Sequence, residues 1–147
     1  MENNTEIIDR LLEKDCYIID FLPKTISKDS NGQFFDVEYY LLNSKKYYII
    51  KEKFVAFILK LMCYYHMLIL WNDWIDKPKP ELIEKAATEI MENHSGSLNC
   101  LFPDENMLLV FDGDSLNLTV YNPPKRVRQL IKQIAFSESL FWRKPGT

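Results

Sequence analysis

Residues 98–121 read LNCLFPDENMLLVFDGDSLNLTVY, and this stretch decides the fold class. Its apolar runs at residues 98–102 and 107–111 are separated by Pro-Asp-Glu-Asn, a combination typical of a turn. Residues 116–121 alternate between apolar and polar side chains, as a half-buried antiparallel strand does. We therefore expect three consecutive antiparallel strands, with the hairpin of residues 107–121 near the centre of a sheet.

Helical patterns flank these strands on both sides. Residues 47–65 carry apolar side chains around much of a helical circumference, which indicates a central helix that is the most buried of the fold. Another helix starts at Pro80, since proline suits the first helical turn, and further helices are expected at residues 4–14 and 124–137. The pattern predicts a single α+β domain in which a mostly antiparallel sheet packs against three or four helices.

Shorter segments complete the expected sheet. Strands are predicted at residues 17–22, 67–71 and 141–142. Residues 76–80 hold two prolines and are expected to form a stiff connector. Residues 34–42, which follow a turn-forming cluster at residues 27–32, fit two structures. Alternate residues of this run are apolar, as in a strand, whereas Phe34, Val37 and Leu41 share one face of a helix.

Cysteine content and hydropathy predict a cytoplasmic protein outside the membrane. The three cysteines are an odd number without framework spacing, which is typical of a reducing compartment. The amino-terminal residues show no secretory signal. Residues 54–71 form an apolar run of 18, but its central Lys60 would cost about 2.5–3.5 kcal/mol in a bilayer. We therefore expect a buried helix and strand there.

Charge is unevenly distributed along the chain. Residues 1–119 carry a net charge of −8, whereas residues 120–147 carry +5. In the carboxy-terminal helix, Lys125, Arg128 and Lys132 line the side opposite the apolar stripe. They form either a binding surface for an acidic partner or an ordinary solvated helix face. A sequence pI near 5.4 argues against a nucleic-acid partner.

Aromatic residues are numerous, with 20 among 147 residues. Trp71 and Trp74 lie three residues apart at the end of an apolar run. They are predicted either to close the end of the core or to form a pocket wall or an interface anchor.

Two residue groups have the chemical types of metal ligands. Asp112-Gly113-Asp114 pairs two carboxylates, but Leu116 occupies the place of the third oxygen ligand of a calcium loop. We instead expect a hairpin in which Asp-Gly adopts positive φ. The second group is Cys63, His66, His94 and Cys100, which lack zinc-finger spacing. No metal, cofactor or catalytic residue is therefore assigned.

The carboxy-terminal third resembles a known group of proteins. The run Val-Phe-Asp-Gly-Asp-Ser-Leu-Asn-Leu-Thr-Val-Tyr-Asn-Pro at residues 110–123, followed by a helix and Leu-Phe-Trp, is similar to small uncharacterised proteins of Gram-positive bacteria. That resemblance implies no activity and no site residues. In size, charge and lack of catalytic motifs the chain also resembles the immunity proteins of bacterial toxin systems.

Three classes of function are consistent with these features. A non-catalytic protein-binding module, of immunity or regulatory type, should expose a patch of several aromatics or carboxylates. A small-ligand-binding domain or small enzyme should have a concave pocket lined by Tyr and Trp. A self-assembling structural protein should pair its acidic body with its basic helix in a salt-sensitive homo-oligomer. Charge asymmetry, aromatic richness and the lack of catalytic motifs favour the first class.

Overall fold

The computed structural model of the chain describes residues 2–27, 29, 32–113 and 116–147. Within these residues the chain forms five helices and seven strands. The helices are α1 (Asn4–Leu11), α2 (Phe34–Asn43), α3 (Tyr47–Met62), α4 (Pro80–Asn93) and α5 (Lys125–Ser137). The strands are β1 (Cys16–Asp20), β2 (Leu68–Trp71), β3 (Asp73–Asp76), β4 (Ser97–Phe102), β5 (Met107–Asp112), β6 (Asn117–Tyr121) and β7 (Phe141–Arg143).

The strands form one sheet in the order β3-β2-β4-β5-β6-β1-β7, and every neighbouring pair is antiparallel. The β5–β6 hairpin lies near its centre, with Leu108 opposite Tyr121 and Phe111 opposite Leu118. The predicted α+β class and the central hairpin are therefore confirmed. Asp114, which belongs to the predicted carboxylate pair, and residues 28, 30 and 31 of the predicted turn lie outside the described residues.

Strand β5 is buried on both faces of the sheet. Met107, Leu109 and Phe111 belong to the larger core cluster, which includes buried residues of α3, α4 and α5. Leu108 and Val110 point to the opposite face, where they pack with the buried residues of α1. The sheet is thus a middle layer between α1 and the other helices, as alternation of side chains along a strand requires.

Helix α3 is the most buried helix, as predicted. Seven of its residues are buried, against five in α4 and none in α2. Phe54 packs edge-to-face on Phe111, with ring centroids 5.8 Å apart. Among the described residues, no helix combines the length and apolar character needed to cross a membrane.

Two segments differ from the expected pattern. Residues 34–43 form helix α2, which raises the number of helices from the expected three or four to five. The predicted connector at residues 76–80 begins later than expected, because residues 73–76 form strand β3 beside β2. Asn72 makes this tight turn possible by adopting a φ of 63°, a conformation that asparagine tolerates better than most residues.

The expected positive φ at Gly113 is wrong, because the positive-φ glycines of the described residues are Gly96 and Gly146. Gly113 instead provides space. A Cβ atom built on it would lie 2.6 Å from the Ser95 backbone nitrogen. The Gly113 N–H also donates a hydrogen bond to the Gly96 carbonyl, with an N–O distance of 3.0 Å. Close approach of two backbones therefore explains the glycine.

Candidate functional site

Most of the exposed large apolar side chains of the described residues lie in α2 and the first turn of α3. Among the described residues, six of the ten exposed large hydrophobic side chains fall between residues 35 and 49. We call these six the aromatic surface: Phe35, Val37, Tyr39, Tyr40, Tyr48 and Ile49. Phe35 and Tyr39 are 78% and 71% exposed. They lie four residues apart and therefore on the same side of the helix.

The inner side of α2 is only partly covered. Its inward residues Phe34, Leu41 and Leu42 are half-buried, and the two leucines pack against the larger core cluster. No residue of the helix is buried. Contact with the core thus stabilises α2 on one narrow side, and the opposite side presents aromatic rings to water.

The start of α3 holds its part of the aromatic surface by specific contacts. The rings of Tyr47 and Tyr48 stack at 4.4 Å, and the Lys51 ammonium lies 4.5 Å from the centre of the Tyr48 ring. Lys51 is buried, and its Nζ donates to Glu84 Oε1 at 2.8 Å and to Thr88 Oγ1 at 3.1 Å. Tyr48 therefore projects from a fixed base, which lowers the entropy cost of a contact with another molecule.

Two adjoining cavities lie at the amino-terminal end of α2. One, of about 270 Å³, has an almost wholly apolar wall. We call it the apolar chamber; its lining includes Phe21, Leu22, Ile26, Phe34 and Val37. The other, of about 190 Å³, shares four of these five residues and adds Asp20, Lys24, Glu38 and Arg143.

A buried ion pair forms the floor of the second cavity. Arg143 Nη2 donates to Asp20 Oδ2 at 2.8 Å, and the two side chains are 10% and 9% exposed. Arg143 Nη1 donates to Thr25 Oγ1 at 2.5 Å, and the Leu22 N–H donates to Asp20 Oδ1 at 3.3 Å. These bonds join β7 to β1 and to the segment that leads toward α2.

Glu38 lies on the wall of the same cavity. Partial burial, followed by repulsion from Asp20, raises the pKa of its carboxyl group. Within the part of the chain that the structure describes, no ion pair involves Glu38. The carboxylate therefore loses hydration without gaining a cation.

Two of the three basic residues predicted on α5, Arg128 and Lys132, lie over aromatic rings of β1 and β7. Tyr17 and Trp142 stack at 4.4 Å between β1 and β7. The Arg128 guanidinium lies 5.1 Å from the centre of the Tyr17 ring, and the Lys132 ammonium lies 5.7 Å from that of Trp142. Arg128 Nε also donates to the Pro123 carbonyl at 2.9 Å. Arg128 and Lys132 thus fix α5 to the sheet by cation–π contacts.

The third basic residue of this group, Lys125, is exposed at the start of α5. The two predicted tryptophans are placed apart from it, on the β2–β3 hairpin at the opposite edge of the sheet. Trp71 packs against the larger core cluster and Trp74 against the smaller one. The two rings therefore lie on opposite faces of the hairpin, and each covers part of a core.

The four residues of zinc-ligand type are dispersed. Cys100 is fully buried in β4, where burial raises the pKa of its thiol to about 12. His66 Nε2 lies 2.5 Å from Asp76 Oδ1, Cys63 is exposed, and His94 ends α4 in a left-handed conformation. Within the described ranges, no three His, Cys, Asp or Glu side chains are grouped as metal ligands would be.

The aromatic surface escaped prediction because residues 34–42 fit both a strand and a helix. One signal in the sequence could have indicated this surface: six Phe or Tyr residues lie between Phe34 and Tyr48. Comparison of the chain with protein-family models, curated proteins and solved structures finds no match. The geometry of these residues is therefore what supports a function.

Proposed function

We propose that this chain is a non-catalytic, cytoplasmic protein-binding module that contacts its partner through the aromatic surface. The single observation that carries the proposal is the exposure of α2, a helix of ten residues in which none is buried. Water-exposed rings at this density are uncommon on a monomer and are typical of interaction sites. Tyrosine and phenylalanine are also enriched at protein interfaces.

The charges of α2 disfavour a direct contact between two copies of this helix. Within α2, Asp36 and Glu38 are acidic and no Lys or Arg occurs, whereas the exposed Lys45 and Lys46 follow this helix. A symmetric contact between two copies of α2 would bring these carboxylates together, because a two-fold interface uses the same surface twice. A partner with basic groups around an apolar patch would avoid that repulsion.

The experiment is an affinity capture from lysate of the source organism, with bound proteins quantified by mass spectrometry. The test variant is Phe35→Ser/Tyr39→Ser. The control is Phe136→Ser, because Phe136 lies on α5 and is 75% exposed, which matches the 78% of Phe35. We expect one protein to be enriched by wild type and by the control but lost with the test variant.

The same capture also tests the basic face of α5, which stays a prediction. The variant Lys125→Glu/Arg128→Glu/Lys132→Glu reverses all three charges. Loss of the partner with this variant, together with retention by Phe35→Ser/Tyr39→Ser, would move the binding site from α2 to α5. Equal enrichment by all variants would contradict both sites.

Self-association is the second candidate, and the difference in charge between residues 1–119 and 120–147 favours it. Light scattering at low and high salt separates it from the first. A monomer in both conditions supports the heterologous partner. A salt-sensitive oligomer that Phe35→Ser/Tyr39→Ser leaves intact would instead support pairing through the basic helix.

A further inference from the structure

The apolar chamber lies at the amino-terminal end of α2 and meets the aromatic surface at Val37, on the opposite side of the helix from Phe35 and Tyr39. Val37 belongs to both, and Ile26, at 41% exposed, lies at the chamber wall. Its volume of about 270 Å³ exceeds that of a single large side chain, and its wall is almost entirely apolar. Interfaces gain most of their free energy where a large side chain enters such a cavity.

Glu38 follows Val37 in α2 and faces the adjoining cavity. The charged groups around it are Asp20 of β1, Arg143 of β7 and Lys24 of the intervening segment. Two of the three guanidinium nitrogens of Arg143 already donate, Nη2 to Asp20 and Nη1 to Thr25, whereas its buried Nε has no partner among the described residues. Lys24 forms no ion pair with Glu38 among the described residues. The half-buried carboxylate of Glu38 would therefore gain most from a cation supplied from outside.

We infer that the partner inserts a large apolar side chain into the apolar chamber and places a neighbouring Arg or Lys against Glu38. This inference rests on the proposed function, and it specifies the chemistry of the segment that is recognised. The recognised element is a stretch of polypeptide in which one apolar anchor and one cation are close together. An aliphatic or aromatic anchor fills the chamber, and an ammonium or guanidinium group offsets the desolvation of the carboxylate.

The test is a selection of random short peptides displayed on phage against the folded full-length chain. We expect the selected peptides to share a large apolar residue next to Arg or Lys. The synthesised consensus peptide should then bind wild type in a fluorescence anisotropy titration. Replacement of its cation by Glu should weaken binding by about tenfold or more, as loss of a charged contact does.

Two variants locate the peptide on the chain. Val37→Gln puts a polar group at the chamber and should weaken binding by about tenfold, whereas Val37→Ile keeps the wall apolar and serves as its control. Glu38→Gln should weaken binding and abolish the preference for Arg or Lys. Urea unfolding of each variant shows whether the fold is retained.

The outcomes separate this inference from the proposed function. A consensus that is acidic or purely polar, or the absence of any enriched peptide, would overturn the inference. Peptides that lose binding with Phe35→Ser/Tyr39→Ser but not with Val37→Gln or Glu38→Gln would also overturn it, while leaving the aromatic surface as the site. Retention of a lysate partner by Phe35→Ser/Tyr39→Ser would instead contradict the proposed function.

Discussion

Helices α2 and α3 follow one another in the chain and are both rich in aromatic residues, yet they use them differently. In α3, Phe54 and Phe57 are fully buried against the sheet. In α2, Phe35 and Tyr39 are exposed to water. The difference lies in position, because α3 crosses the face of the sheet whereas α2 lies at its border beside the end of β1. The aromatic content of a helix therefore does not show whether its aromatic residues belong to the core. That depends on where the helix lies in the fold.

The largest effect on the free energy of unfolding is expected in α3, whose aromatic residues Phe54 and Phe57 are buried. Phe54→Ala should lower the free energy of unfolding by about 3–5 kcal/mol, because it removes a fully buried ring and leaves a cavity next to Phe111. Urea denaturation followed by circular dichroism measures it. A loss below about 1 kcal/mol would mean that α3 is not the main support of the core.

The next largest effect on stability is expected at the buried ion pair between Asp20 of β1 and Arg143 of β7, which lines the cavity beside α2. Arg143→Leu should cost about 3 kcal/mol, because it leaves the Asp20 carboxylate buried without its cation. The double variant Asp20→Asn/Arg143→Leu should recover part of this loss, since neither charge then remains. Equal unfolding free energies for the single and double variants would contradict a role for the pair in holding β7 and β1 together.

A smaller effect is expected on α5. Lys132→Gln should cost about 0.5 kcal/mol, because the ammonium lies over the Trp142 ring. Lys125→Gln is the matched control on the same helix and should have a smaller effect. Urea titrations followed by tryptophan fluorescence give both values. If the two substitutions cost the same, the stacking on Trp142 makes no measurable contribution.

The smallest effect on stability is expected at the aromatic surface. Phe35→Ser/Tyr39→Ser should change the free energy of unfolding by less than about 0.5 kcal/mol, because both rings are exposed in the free protein. The same urea titration used for Phe54→Ala measures it. A large destabilisation would show that these rings support the fold, and it would remove the distinction between α2 and α3.

The sequence predicted the centre of the molecule better than its edges. The hairpin of residues 107–121 and the burial of α3 are set by local patterning, since a strand between two layers and a helix over a sheet are apolar on most sides. Strand β3 was missed because its turn depends on the left-handed conformation of Asn72. Residues 34–42 were ambiguous because apolar residues on an exposed helix no longer follow the core-facing period.

For the candidate site, the sequence predicted the type of surface but not its position. An exposed patch of several aromatics or carboxylates was expected for a binding module. The position of such a patch depends on which side of α2 meets the core, and that is a tertiary property. Likewise, the basic residues of α5 were recognised as a group, but their stacking on Tyr17 and Trp142 depends on the pairing of β1 with β7. The Arg128–Tyr17 contact and the Tyr17–Trp142 stack join residues more than 100 positions apart in the chain.

The most direct test of the aromatic surface is site-specific photo-crosslinking in cells of the source organism. The photoreactive p-benzoylphenylalanine replaces Phe35 in one protein and Phe136 in another, so that two rings of nearly equal exposure are compared. We predict a discrete covalent adduct with one protein from position 35 and none from position 136. An adduct from position 136 alone, or identical adducts from both, would contradict α2 as the binding surface.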